Sequence, residues 1–279
     1  MIHGLIGARK RSGIVLDLGA GEGSFPAPDS REFPNSLEFV VRCDIERPRL
    51  CGDRYVIADS AHLPFRDGVF DTVVANHSLE HVADLQATLA EVGRVIQADG
   101  VLYASVPDAK SLADRIYRWL GRGGGHVNAF AAEADLRLQV ERVAGLRCRS
   151  SRLLFSSFSF LGPRSRANRW QRKLLLFFGA PHVVVAALTG LFRWLDVLLR
   201  THFSRYGWEY LFGSYSQALP SRCWTNVCSS CGKGVPSSEL PETPILEGGL
   251  SPIFRCSGCG SWNLRTPEVH NPCRQASDR

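Results

Sequence analysis

Val15-Leu-Asp-Leu-Gly-Ala-Gly-Glu-Gly23 decides the fold. A short apolar run ends in glycines at 19, 21 and 23, the way a strand closes into a turn whose backbone N–H groups approach a ligand with no Cβ in between. A glycine turn alone is weak evidence, because many structural turns look like it. Here three elements follow in order. Asp44 closes a second strand, 21 residues past Gly23, where a carboxylate can accept the hydroxyls of a ribose, and Ile45 stands beside it. Asp59-Ser60 follows a third strand, and Leu63-Pro64-Phe65 closes that turn. Phe70-Asp-Thr-Val-Val-Ala-Asn-His-Ser-Leu-Glu-His81 supplies a fourth strand ending in polar residues, Asn76 and His77 among them. Taken singly, Asp44 and Asp59 read as ordinary turn residues; in series after a glycine loop they read as a ligand-binding edge.

Outward from the loop, apolar β-branched runs alternate with helical segments, the rhythm of a parallel sheet flanked by helices. Strands are predicted near Ile14 to Leu18, Phe39 to Cys43, Tyr55 to Ala58, Phe70 to Ala75 and Val101 to Val106. Leu85, Leu89, Val92 and Ile96 recur at helical spacing between the last two, with Gly100 where a helix stop is expected. A second helix is expected from Ala131 to Ala144, then strands around Leu146 to Phe155 and Trp208 to Tyr215. The class is α/β, a Rossmann-like doubly wound sheet. At 279 residues, with 44% hydrophobic and 22% charged residues, the chain excludes a disordered or disulfide-knot protein and fits one medium domain with an appendage.

The combined motifs resemble the class I S-adenosylmethionine-dependent methyltransferases, in particular the type 11 group related to quinone-biosynthesis enzymes, over roughly the first 155 residues. The resemblance implies that Asp17, Gly19, Ala20, Gly21, Glu22 and Gly23 surround the methionine part of the cofactor. It implies that Asp44 and Ile45 hold the ribose side, that Asp59 accepts from the adenine amino group beside the Ser60 backbone, and that Asn76 and His77 face the reacting methyl. Methyl transfer from a sulfonium needs chiefly alignment, and a general base only for a protonated nucleophile. His81, His77 and His126 are the candidate catalytic bases, with ordinary pKa values near ~6.5, although a histidine in a strand-to-helix turn often only caps or packs. His126 opens Gly125-His-Val-Asn-Ala-Phe130, which resembles a family position near the substrate. Two departures stand out. With thirteen residues before the first strand, the covering N-terminal helices are expected to be short or missing, and Pro26, Pro28 and Pro34 oppose a long helix after Gly23.

Another element must then close the site. Residues 156–205 connect two strands at the carboxyl edge of the sheet, where ligands of open α/β folds bind. Leu174 to Phe192 is nineteen residues without Asp, Glu, Lys or Arg, while Arg142 to Lys173 holds nine Lys or Arg and no Asp or Glu. Pro181, His182 and Asp196 favour two short helices over a simple span, leaving an apolar lid or a hairpin lying in a bilayer interface. An apolar lid with a basic rim suits a methyl acceptor with a greasy body and an anionic head: a lipid, a quinone precursor or a lipid-linked glycan.

Cys228-Ser-Ser-Cys-Gly232 and Cys256-Ser-Gly-Cys-Gly260 are two C-x-x-C-G knuckles. Together Cys228, Cys231, Cys256 and Cys259 resemble the ligand set of a structural zinc ribbon. Cys223 and Cys273 flank it, and Cys43, Cys51 and Cys148 read as packed small apolar groups. The division expected is a methyltransferase domain over 1–218, including the 156–205 insertion, and a zinc-ribbon-like module over 219–279. The first residues lack the apolar core of a secretory signal, so a cytoplasmic protein with peripheral membrane contact through 164–200 is expected. Two rival functions remain: an rRNA or tRNA methyltransferase gripping RNA with ribbon and basic segment, and a non-catalytic cofactor-binding or scaffold protein. The uncharged run separates the first from RNA enzymes, since an RNA surface has no use for it.

Overall fold

The computed structural model describes residues 13–21, 39–46, 54–112, 114–115, 118, 125–155, 182–201, 203–214, 225–227, 234–236, 253–257, 260, 262–264 and 270–271. Seven strands of the main sheet come first in the chain: β1 (Ile14–Leu18), β2 (Phe39–Asp44), β3 (Tyr55–Ile57), β4 (Phe70–Asn76), β5 (Ile96–Pro107), β6 (Cys148–Phe155) and β7 (Arg205–Gly213). Helices α1 (Leu85–Val95), α2 (Glu133–Val143) and α3 (His182–Leu199) lie between them. Four short strands then form two separate hairpins, β8 (Thr225–Val227) with β9 (Gly234–Pro236) and β10 (Ile253–Arg255) with β11 (Trp262–Leu264). β12 (His270–Asn271) returns to the main sheet.

The spatial order is β12-β6-β7-β5-β4-β1-β2-β3. β1 pairs in parallel with both β2 and β4, so the chain winds outward in two directions from the β1/β4 boundary. In open α/β sheets that reversal leaves a crevice at the carboxyl ends of the two strands. The glycine loop follows β1 and the Asn76-His77 corner follows β4, so both open on it. β7 runs antiparallel to β5 and to β6, which places the end of β6 and the start of β7 on that same carboxyl edge.

Burial explains why these segments hold. β1 and β4 are buried on both faces, and Leu16, Val73, Val74 and Leu102 are fully buried. α1 presents Leu85, Leu89 and Val92 to the sheet at helical spacing, and its first turn is capped by the Asp84 side chain, which accepts from Ala87 N at 2.9 Å. At α2 the Asp135 carboxylate accepts from the backbone N–H groups of Ala131 and Ala132 at 2.7 and 2.9 Å.

Some expectations need correction. Gly100 does not stop the helix: α1 ends at Val95, the chain enters β5 directly, and Gly100 lies inside that strand. It is glycine for packing, since a Cβ there would come within 2.6 Å of Ile96 Cγ1. The apolar segment contains one helix of 18 residues from His182, while 156–181, where a first short helix was expected, lies outside the described residues. Among the described residues no helix is long and apolar enough to cross a membrane. Asp196 fastens the end of α3 to the start of β7, accepting from Thr201 Oγ1, Phe203 N and Ser204 N at 2.5–2.8 Å. Cys43 is the packed thiol expected of it, and burial pushes its pKa up to about 11. Cys148, partly buried, also packs against the core and is disulfide-bonded as well, which was not expected.

The β5–β7 seam closes the antiparallel side through glycine. A Cβ on Gly207 would lie 2.0 Å from the Val106 carbonyl oxygen. Gly207→Ala is therefore expected to cost ~2 kcal/mol or more, measured as a lowered urea midpoint.

Candidate active site

The loop after β1 is fixed from below and open above. Gly19 N and Ala20 N donate to the Cys43 carbonyl at 2.8 and 3.1 Å, which welds the loop to the end of β2. Gly19 has φ +68, and a Cβ there would stand 2.3 Å from Ser78 Cβ, so the loop packs against the corner after β4 in a way only glycine permits. At Gly21, with φ +51, a Cβ would meet nothing within 4 Å. That open side is what the close approach of a ligand needs. Asp17 is fully buried at the base of the loop.

Asp44 spans the loop and its own strand end. One carboxylate oxygen accepts from Gly21 N at 2.8 Å and the other from Glu46 N at 3.3 Å. The Tyr55 hydroxyl, 3.2 Å from both the Gly21 and Glu46 carbonyls, braces the same junction. Ile45 next to it is 67% exposed, an apolar surface set beside the loop. At the end of β3, Asp59 accepts from Ala61 N at 2.9 Å, and Ser60 Oγ lies 2.9 Å from Thr88 Oγ1 of α1.

The turn from Leu63 to Phe65 is held by an α1 side chain that the sequence reading did not single out. Arg94 donates to the carbonyls of Leu63 and Phe65 at 3.0 and 2.7 Å and pairs with Asp67 and Glu91. Glu91 in turn accepts from Leu63 N at 2.7 Å. The Arg94 hydrogen bond holds the Glu91 carboxyl below the usual carboxylate range, against the opposing pull of burial.

At the end of β4 the chain makes a strained corner. Asn76 accepts from Ser105 Oγ at 2.7 Å, and His77 adopts φ +52, a left-handed backbone that a non-glycine residue holds only when its surroundings impose it. Its ring meets Tyr206 edge-on at 5.0 Å, and its Nδ1 is 3.4 Å from Glu80 Oε1. His81 and His126 come together with ring centroids 4.7 Å apart. His81 Nδ1 is 3.0 Å from the Gly125 carbonyl, and His126 Nδ1 is 2.7 Å from Asp114 Oδ1. Burial raises the Asp114 pKa, but the hydrogen bonds from His126 and Arg118 outweigh it and leave the carboxyl below its ordinary range.

The structure thus brings Asp17, Gly19, Ala20, Gly21, Asp44, Ile45, Asp59, Ser60, Asn76 and His77 to one edge of the sheet, and His77, His81 and His126 to one corner of it. Glu22, Gly23, Cys228, Cys231 and Cys259 lie outside the described residues. Cys256 is buried and not disulfide-bonded, and its carbonyl accepts from Gly260 N at 2.8 Å. Sequence reasoning passed over Glu80, which lies against His77, and Asp114, which pairs with His126. The signal for Glu80 was present in His77-Ser-Leu-Glu-His81; Asp114, twelve positions before His126, lies in no motif and had none. A cavity of about 390 Å³ on the carboxyl edge, lined by Lys110, Leu112, Arg115, Thr201 and Phe203, was also not foreseen.

Residues 16–104 match a family model described as a methyltransferase domain. That segment holds β1 to β5 and the loop, the acidic strand ends and the first two histidines. The chain is 32% identical over 95 residues to malonyl-[acyl-carrier protein] O-methyltransferase of Geobacter sulfurreducens, covering 31% of this chain and 36% of that one. It is 34% identical over 93 residues to demethylmenaquinone methyltransferase of Corynebacterium glutamicum, covering 32% of this chain and 39% of that one. The chain therefore spans under two fifths of the length of these curated relatives. Its fold is similar to a putative methyltransferase from an antibiotic biosynthesis pathway of Anabaena variabilis, with a TM-score of 0.50 and 14% identity over 77% of this chain and 95% of that one.

Arg94→Ala frees the Leu63–Phe65 turn and is expected to cost about 1–2 kcal/mol at neutral pH. Glu91, whose folded pKa is lowered, stabilises the protein above its ordinary value of about 4.3 and ceases to do so as pH falls below it. The Arg94→Ala penalty should therefore shrink between pH 7 and pH 3 in urea titrations; a penalty independent of pH contradicts this role.

Proposed function

We propose that this chain is a methyltransferase that uses S-adenosylmethionine and acts on an apolar or amphiphilic small molecule. One observation carries the reading: the open glycine loop and the Asp44 carboxylate meet at the topological switch point of a sheet whose first five strands match a methyltransferase domain. When bound, S-adenosylmethionine supplies a methyl group made electrophilic by its sulfonium. The residues fit that ligand. Gly21 leaves room for close approach, Asp44 has acceptor oxygens for hydroxyls, and Ile45 and Asp59 offer an apolar surface and a carboxylate to a purine. Ala20, Ser60 and Asn76 line the same edge, and Glu22 and Gly23 continue the loop in sequence.

The chain's catalytic work is chiefly alignment and exclusion of water. A proton leaving the acceptor would meet the histidine corner, where His77, His81 and His126 surround Glu80. The left-handed backbone of His77 fixes where its ring sits before any substrate arrives.

Support for an amphiphilic acceptor comes from the cavity on the carboxyl edge. Leu112 and Phe203 give it an apolar wall, while Lys110 and Arg115 give it a basic rim. Leu191, Trp194 and Leu198 of α3 are 43–60% exposed at helical spacing, an apolar stripe suited to a lid or to the surface of a bilayer. The insertion over 156–205 is assigned that role, with peripheral membrane contact through 164–200. The C-terminal knuckles are assigned a structural zinc ion held by Cys228, Cys231, Cys256 and Cys259. Its support is that each knuckle lies between two paired short strands.

Calorimetry with S-adenosylhomocysteine should give one site per chain, weakened about tenfold or more in Asp44→Ala; no heat with the intact protein would falsify the assignment. Removing all three histidines should lower turnover far more than cofactor affinity, and unchanged turnover would leave alignment as the whole of catalysis. Mass spectrometry of cell extracts should show a small molecule or lipid lighter by one methylene when the protein is lost. A methylene missing from ribosomal or transfer RNA instead would overturn the substrate class.

A further inference from the structure

We infer that Glu80, His81 and His126 form a binding site for one divalent transition-metal ion beside the cofactor edge. One ligand atom from each of the three residues lies within 4.8 Å of the others, a spacing that a single ion can bridge. Each ring already has its Nδ1 committed. His81 Nδ1 donates to the Gly125 carbonyl, which cannot itself donate, so the proton sits on Nδ1 and the lone pair on Nε2. His126 Nδ1 lies 2.7 Å from Asp114 Oδ1, and donation to that carboxyl oxygen sets the same tautomer. A metal would be taken by Nε2 in both, with a carbonyl and a carboxylate behind the rings in the arrangement that orients metal-binding histidines.

Glu80 points independently to a cation. Its side chain is 2% exposed and its Oε2 has no hydrogen-bond partner among the described residues. His77 reaches only the other oxygen, at 3.4 Å. A buried carboxylate left in that state is costly, and a positive ion at Oε2 relieves the cost. The scaffold is also built in advance. Asn128 N donates to the Glu80 carbonyl at 3.0 Å, and Asn128 Nδ2 donates to the carbonyls of Leu79 and Val82 at 3.0 and 2.8 Å, so the two ligand-bearing segments are stitched together.

Two imidazoles and one carboxylate favour ions such as Zn²⁺, Fe²⁺, Co²⁺ or Mn²⁺ over Mg²⁺ and Ca²⁺, which seek oxygen alone. Three protein ligands leave positions open for water or for an oxygen of the methyl acceptor. The acceptor class is accordingly one with a hydroxyl or carboxylate oxygen near the methylated atom; this last step rests on the methyltransferase reading, whereas the ion site does not.

Mn²⁺ is the probe, because thiolate knuckles prefer softer ions. Electron paramagnetic resonance of the full chain, titrated with Mn²⁺ without cofactor, should report one bound ion. Glu80→Gln, which keeps size and polarity, and His81→Asn should each weaken binding about tenfold or more, and Asp114→Asn by about tenfold through loss of ring orientation. A cooperative thermal unfolding transition in the same samples shows whether each variant is folded, and S-adenosylhomocysteine titration of the intact chain is read separately. Absence of Mn²⁺ binding by the intact chain, or equal binding by the intact chain and the folded Glu80→Gln variant, overturns the site. Mn²⁺ binding that depends on Glu80 in a protein with no affinity for S-adenosylhomocysteine would keep the ion site and remove the methyl-transfer reading.

Discussion

Contact between Gly19 and Ser78 is the constraint on which the rest of the site depends. No side chain can intervene there, since even a single carbon on Gly19 would overlap Ser78. The loop after β1 and the corner after β4 are therefore pressed together, while two hydrogen bonds to the Cys43 carbonyl tie the loop to β2. Three strand ends are locked by one residue without a side chain. Asp44 then reaches Gly21 from one flank and the His77–His81 turn stands on the other. The sheet order supplies the reason for the location, since only at the β1/β4 boundary do connections leave in opposite directions and open a crevice.

Much of this was legible because it is written locally. β1, β2 and β4 are short, largely apolar runs ending in glycine, acid or amide, and in the structure each ends within a residue of the expected position. The helix periodicity of Leu85, Leu89 and Val92 was equally plain, because one face of α1 is buried against the sheet. What misled was Gly100, whose residue type suits a helix stop but whose position is set by contact with Ile96 inside β5. Single-residue signals of this kind carry no information about the partner that decides them. The same holds at Asp196, read as an interruption of an apolar run, which in the fold gathers four donors from the segment leading into β7.

The histidine corner shows the limit from the other side. His77, His81 and His126 were found one by one, by residue type and position. Their common centre, Glu80, follows from the folded turn, and the Asp114 carboxylate behind His126 comes from a segment with no pattern of its own. Arg94 is a similar case, a surface residue by sequence that turns out to hold both carbonyls of the Leu63–Phe65 turn. Candidate site residues advertise themselves by type; residues that hold those in place are exposed only by the fold.

Hydrogen–deuterium exchange with and without S-adenosylmethionine tests the central claim most directly, because it reports where the ligand sits without assuming an acceptor. The account predicts slower exchange at 17–21, 44–46 and 59–61, three separated stretches that follow or end neighbouring strands on the same edge of the sheet, and little change in the β8–β9 and β10–β11 hairpins. Unchanged exchange at all three stretches under saturating ligand, or protection confined to another part of the chain, would contradict it.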